Sequence, residues 1–325
     1  MRKLLTLILV YPLAAVLALT VGARLAGAPS AGAFLSGAEP LLVVTALAAG
    51  FSLTSFLLGA FTADYSWVDR LWSTAPVLFA WIYAIRADFP FAATLAALLV
   101  TAWGLRLTYN FARRGGYTTM EDYRWPILRK RIGHPVGWQL FNLLFICGFQ
   151  VALFVLFTLP VRELAAAGAV SAPGAVAFAL LFLGFLVFET IADEQQWRFQ
   201  NVKHGRAQME ASSEEDRRAI EADVERGYLT RGLFRFSRHP AYFGELAVWW
   251  VLFLFAAVTT NNLLSLSGLG VVLLTALFAG STAFTESISR ARYPSYEEYR
   301  RRTAAIIPWP PASVAEADAA FSDES

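Results

Sequence analysis

Seven apolar stretches, at 4–21, 40–61, 91–111, 139–159, 173–191, 243–258 and 263–284, constrain this chain more than any other feature. Each is close to the roughly 20 residues that a helix needs to cross the hydrocarbon core of a bilayer. An eighth stretch, 71–85, is shorter and carries Pro76 near its start. Only 16% of the residues are charged and 57% are hydrophobic. A soluble domain carries about 25% charged residues because its surface faces water. The expectation is an all-α, polytopic integral membrane bundle of about eight transmembrane helices.

The distribution of cations tests the count. Placing the N-terminus inside with eight crossings leaves only Arg24, Arg86 and Arg162, of 27 Lys and Arg, on the outer face. That is the asymmetry that basic loops impose on insertion. Omitting 71–85 moves Arg2, Lys3 and Arg70 to the outer side and worsens the fit. Both termini are therefore expected to be cytoplasmic. The start, Met-Arg-Lys followed by an apolar run and then small residues, also has the outline of a secretory signal. The run is long for one, so a retained first helix is expected.

Several chemistries are poorly served by this composition. Cys147 is the only cysteine, which rules out an internal disulfide or a thiolate metal cluster. The three histidines are scattered, and no metal is expected. No Gly-x-Gly-x-x-Gly opens a helix, so a dinucleotide would need a site of another kind. No nucleic-acid partner is expected.

Ionisable residues in or beside a membrane are costly, and each is a functional candidate. In Asp64-Tyr65-Ser66-Trp67-Val68-Asp69-Arg70-Leu71-Trp72, Asp69 and Arg70 read either as a local ion pair or as the lining of a polar mouth. Arg106, Asn110 and Arg113 share one helix face, where arginines can fork onto phosphate oxygens. Glu121-Asp122-Tyr123-Arg124 follows. Asp193 and Glu194 stand where an apolar run ends, although acids are disfavoured at a helix C-terminus. Residues 211–226 read as a solvated surface helix. In Gly232-Leu233-Phe234-Arg235-Phe236-Ser237-Arg238-His239-Pro240-Ala241-Tyr242-Phe243-Gly244-Glu245, Pro240 suits the first turn of a helix. Ser237 or His239 before it suits an anion. Glu245, just inside the span, needs a partner. Last come Glu286, Arg290, Arg292, Tyr293, Tyr296, Tyr299 and Arg300, then Ile306-Ile307-Pro308-Trp309-Pro310. Arginine alternating with tyrosine can grip phosphate and stack a ring; an amphipathic helix on the lipid surface is the plainer reading.

The Ser-Arg-His-Pro-Ala-Tyr-Phe-Gly-Glu block, Tyr-Glu-Glu-Tyr-Arg and Ile-Ile-Pro-Trp-Pro-Pro resemble the steroid 5-alpha-reductase-like membrane proteins. They are most similar to the bacterial branch known as domain of unknown function 1295. Residues 66–72, 121–124 and 192–195 look like that branch too, and the similarity covers roughly 60–312. The resemblance implies an inner-membrane, NADPH-dependent reductase that passes hydride to the double bond of an α,β-unsaturated carbonyl in a lipophilic, steroid- or lipid-like substrate. It implies that Asp193, Arg235, Ser237, Arg238, His239, Tyr242, Glu245, Arg290, Arg292 and Tyr299 contact the cofactor, with Arg106, Asn110 and Arg113. Asp69 and Tyr109 are assigned to polarising the carbonyl. Ala241 stands where members of the family often carry asparagine, which removes a hydrogen bond to cofactor. The implied organisation is an N-terminal helix pair over 1–62, a reductase-like membrane domain over 63–310, and a disordered acidic tail over 311–325.

Two other classes compete. Arg-His-Pro-x-Tyr-x-Gly also resembles S-adenosylmethionine-dependent membrane methyltransferases of the isoprenylcysteine carboxyl type. A transporter would place its ionisable residues near mid-membrane on broken helices, and only Pro76 hints at a break.

Overall fold

The computed structural model describes residues 2–118, 120–168 and 170–313, and among them all regular structure is helical. In chain order the helices are α1 (Arg2–Leu25), α2 (Ala31–Gly37), α3 (Pro40–Thr62), α4 (Ala75–Arg86), α5 (Phe91–Arg113), α6 (Arg124–Ile132) and α7 (Pro135–Phe141). They continue with α8 (Gln150–Ala166), α9 (Ala172–Lys203), α10 (Glu214–Arg226), α11 (Pro240–Thr260), α12 (Leu266–Arg292) and α13 (Tyr296–Arg302). A π-helical stretch, Asn142–Phe149, joins α7 to α8, and 3-10 turns lie at Asp69–Leu71 and Gly232–Arg235.

Seven segments are long and apolar enough to cross a membrane: those of α1, α3, α5, Pro135–Ala166, α9, α11 and α12. They coincide with the seven long stretches expected, and the chain is an integral membrane protein. Large apolar side chains face outward along them, such as Leu9, Leu13 and Leu17 on α1 and Leu180 on α9. A lipid-facing surface needs such residues, because polar side chains are costly in hydrocarbon.

The chain divides into two compact units. Unit 1 is Met1–Leu180 with Val251–Leu273, and unit 2 is Leu181–Trp250 with Leu274–Ser325. In unit 1, α1 lies antiparallel on α3: Lys3 Nζ is 2.6 Å from Asp64 Oδ2 at one end, and Gly22 meets Ala46 near the other. Tyr11 and Ser55 share a buried hydrogen bond of 2.8 Å between them.

The eighth expected crossing is α4. At 12 residues and about 1.5 Å per residue it spans only about 18 Å. Arg70, before it, pairs with Asp64 just past the end of α3. Arg86, at its far end, donates to the carbonyls of Ser36 and Ala38, just before α3 begins. Residues 70–86 therefore run back along the whole length of α3. Pro76 sits in the first turn of α4, where it starts the helix rather than breaking one.

The structure corrects one local expectation. The apolar run 173–191 does not end its helix near Ile191; α9 continues to Lys203. Asp193 and Glu194 are thus interior helix residues, and Glu194 pairs with Arg198 one turn on at 3.0 Å. The expected surface helix appears as α10, capped by Ser213, whose hydroxyl accepts from the Asp216 N–H. Most of the expected acidic tail lies outside the described residues, which end at 313.

Candidate functional site

The polar end of unit 1 is built on Arg70. Its guanidinium is 1% exposed, donates to Asp64 at 2.9 Å and to the carbonyls of Gly116 and Met120, and lies over the Trp67 ring. Asp64 is thus paired with both Lys3 and Arg70. Burial alone would raise its pKa, but these cations and the Ser66 N–H hold it below the ordinary carboxylate value. The ion pair that adjacency suggested, Asp69 with Arg70, does not form; Arg70 turns to Asp64. Asp69 instead accepts from the Trp125 indole N–H at 2.9 Å. Burial of its carboxyl pushes the Asp69 pKa up to about 6, and the neighbouring Asp122 carboxylate adds to the rise. Ser66, Arg124 and Trp125 oppose it. Asp122 is gripped by Arg124 through both oxygens, and the Glu121 carboxylate accepts from the Tyr65 N–H.

On α5, Asn110 and Arg113 do share a face: Arg113 Nε donates to Asn110 Oδ1 at 2.9 Å. Asn110 is buried, and Arg106 lies one turn before it, half-buried. Tyr109 stands on another face, 67% exposed, with the Arg113 guanidinium over its ring.

In unit 2 the centre is an ion-pair node. Arg238 grips both Glu286 oxygens, at 2.7 and 3.0 Å. Its remaining guanidinium nitrogen donates to the carbonyls of Arg300 and Thr303. His239 Nε2 lies 3.1 Å from Glu286 Oε1, and its ring stacks on Tyr242. Glu286 is buried on the last turns of α12. A carboxylate there needs both partners, because an unpaired buried charge is strongly destabilising.

The same turn clasps a C-terminal strap. The N–H groups of Arg238 and His239 donate to the carbonyls of Ala304 and Ala305, and the Trp309 N–H returns to Phe236 O. Ser237, fully buried, donates to Ala305 and Ile306 carbonyls. The donors expected to seat an anion before Pro240 are therefore spent on the carbonyls of residues 304–306. Tyr299 donates to Phe234 O; burial raises its pKa, which keeps the phenol protonated. Tyr228 stacks on Tyr299 and meets Tyr296 edge-on. Lys203 bonds the Tyr293 hydroxyl and Gly227 O.

Other expected site residues take varied places. Glu245 is buried and accepts from Trp249 Nε1 at 2.9 Å. Asp193 lies within α9. Arg290, more than half exposed, pairs with Glu297. Arg235 and Arg292 are exposed and rest on the Phe236 and Tyr293 rings, with no hydrogen-bond or carboxylate partner among the described residues. Glu286, two residues past the apolar stretch 263–284, was named among the ionisable residues of the closing segment, but its grip on Arg238 was missed. Asp223 was also missed: fully buried, it receives Arg226, Thr230 and Arg231 and fastens α10 to the following loop.

A profile of the family described as Protein of unknown function (DUF1295) matches residues 55–303. An uncharacterized protein of Schizosaccharomyces pombe is 32% identical over 270 residues, 79% of this chain and 78% of its own. No solved structure matches significantly. The family match takes in Asp69, the Arg238–Glu286 node and α13, and stops one residue before the strap. The relative is fungal, so proteins similar to this one are not confined to bacteria.

Proposed function

The chain belongs to the DUF1295 family, and from that premise we propose a membrane-embedded, NADPH-dependent reductase acting on the double bond of an α,β-unsaturated carbonyl. The substrate is steroid- or lipid-like, the membrane a cytoplasmic one, and the charge-rich ends of the helices face the cytoplasm. The resemblance of the Ser237–Glu245 block and the Ile306–Pro310 segment to the steroid 5-alpha-reductase-like proteins supports this reading.

The observation that carries it is the contrast between spent and unspent cations in unit 2. Arg238 is consumed by Glu286 and two carbonyls, whereas Arg235 and Arg292 keep their guanidinium donors and lie on aromatic rings. A cation on an aromatic ring can hold phosphate while a flat group stacks nearby. NADPH carries a pyrophosphate and a further phosphate; S-adenosylmethionine carries none and is itself a sulfonium cation. Unspent arginines therefore favour NADPH, with Arg235 and Arg292 as its phosphate contacts.

When bound, that cofactor supplies the hydride for the β-carbon. The chain orients the enone and stabilises charge on its oxygen. Asp69 retains the carbonyl-polarising assignment: a carboxyl whose pKa is raised toward neutrality can donate a hydrogen bond when protonated. The α-carbon then takes a proton to complete the reduction.

Thermal unfolding of the detergent-purified protein with each cofactor tests the reading. NADPH should raise the midpoint and S-adenosylmethionine should not. Stabilisation by S-adenosylmethionine or S-adenosylhomocysteine, with NADPH inert, would replace the reductase by a methyltransferase.

A further inference from the structure

A cavity of about 410 Å³ lies in unit 1 at the end where α3 begins and where α4, α8 and α11 finish. It is lined by Glu39, Tyr83, Arg86, Arg162, Glu163 and Asn262, among small residues. Two of the three cations that charge asymmetry assigns to the outer face, Arg86 and Arg162, meet here.

The polar groups divide into spent and unspent. Glu39 caps α3 through its Oε2, accepting from the N–H groups of Leu41 and Leu42, and holds Arg162 Nε at 2.9 Å through Oε1. Glu163 accepts from Ser265 and Ser267 through one oxygen. Arg86 gives its terminal nitrogens to Ser36 and Ala38 carbonyls, and its Nε is buried with no partner. The terminal nitrogens of Arg162 are unused, on a side chain 43% exposed. Tyr83 is 1% exposed and its hydroxyl has no hydrogen-bond partner among the described residues. An orphaned phenol among apolar helices is costly, unless something entering the cavity completes it.

Two arginines and two glutamates leave the cavity formally neutral, with unspent donors on Arg162 and Tyr83 and an unspent acceptor on Glu163. A simple anion would face both carboxylates; a simple cation would face both arginines. A zwitterion satisfies each. Phosphate oxygens fit the terminal nitrogens of Arg162 and the Tyr83 hydroxyl, and an ammonium fits the second oxygen of Glu163. We propose that this cavity binds a phosphoethanolamine group, supplied as the headgroup of a zwitterionic phospholipid. The ends of four membrane helices form it, at the depth where headgroups lie.

The test uses full-length protein in nanodiscs and native mass spectrometry, with phosphatidylethanolamine, phosphatidylglycerol and free phosphoethanolamine as probes. Wild type should retain phosphatidylethanolamine at least about tenfold better than phosphatidylglycerol, with Tyr83→Phe and Arg162→Gln each cutting that retention about tenfold, the usual loss for a hydrogen bond to a charged group. Tyr83→Phe deletes a hydroxyl that no group among the described residues uses, so the unliganded variant should be as heat-stable as wild type or more so. Free phosphoethanolamine competing at equal concentration would assign the site to a soluble ligand rather than a lipid and overturn the headgroup source. Equal retention of both lipids, or retention unchanged in both variants, would overturn the site itself.

Discussion

At the residue scale, Arg238 and Arg292 predict opposite phenotypes although they carry the same charge. Arg238→Ala strands the buried Glu286 with His239 alone and frees two carbonyls. Breaking such a pair costs roughly 3–5 kcal/mol, so a large fall in the thermal midpoint is expected, visible by circular dichroism. Arg292→Gln, at an exposed site on Tyr293, should leave the midpoint unchanged and weaken NADPH. Asp69 gives a pH signature. Its pKa is raised in the folded state, to about 6, from about 3.9 unfolded. The folded state thus holds its proton more tightly; that stability is complete below about pH 3.9 and is lost as pH rises through about 6. Asp69→Asn should therefore be more heat-stable than wild type at pH 7.5, with the gap closing on acidification toward pH 4. A gap independent of pH would show that Asp69 does not titrate there. Arg238 and Ser237 stood out in the sequence because a motif stood out. Their actual partners, Glu286 and the 304–306 carbonyls, lie 48 to 69 residues away, a separation that one sequence does not pair.

At the element scale, the apolar stretches located seven helices because bilayer thickness sets a length that composition reveals directly. Their polar ends were less legible. Asp193 to Lys203 extend α9 because charged residues can continue a helix outside lipid, where hydropathy no longer marks its course. The π-helical stretch at Asn142–Phe149 left no trace in the hydropathy pattern, since it changes hydrogen-bond register rather than polarity. Close helix packing is a further property of elements. Unit 1 brings α12 against α8 at Gly270, where an added Cβ would lie 2.5 Å from the Leu156 carbonyl carbon. Neither backbone can yield without displacing a helix. Gly270→Ala should cost roughly 1–3 kcal/mol of overpacking, read as a lowered midpoint in detergent; an unchanged midpoint would mean that the two helices separate freely.

At the scale of the whole molecule, charge asymmetry counted the short stretch 71–85 as an eighth crossing, and residues 70–86 return from the Asp64 end of α3 to its start, although α4 itself has only 12 residues. The consequence for topology is testable with Cys147→Ala as a background, since Cys147 is the only cysteine and is buried. Cysteines at Ser30 and Asp88 should be labelled from one side of the membrane, and one at Ser212 from the other. Labelling of Asp88 together with Ser212 would remove the crossing by α4. The chemistry was less legible than the topology, because a family motif marks where a site lies but does not separate residues that build it from residues that grip a ligand. The most direct test of the central claim is an equilibrium titration of NADPH, followed by quenching of tryptophan fluorescence, in wild type and in the Arg235→Gln/Arg292→Gln double variant. Wild type should bind saturably and the double variant at least about tenfold more weakly, at an unchanged unfolding midpoint. Absence of saturable binding, or equal affinity in the two proteins, would contradict that claim.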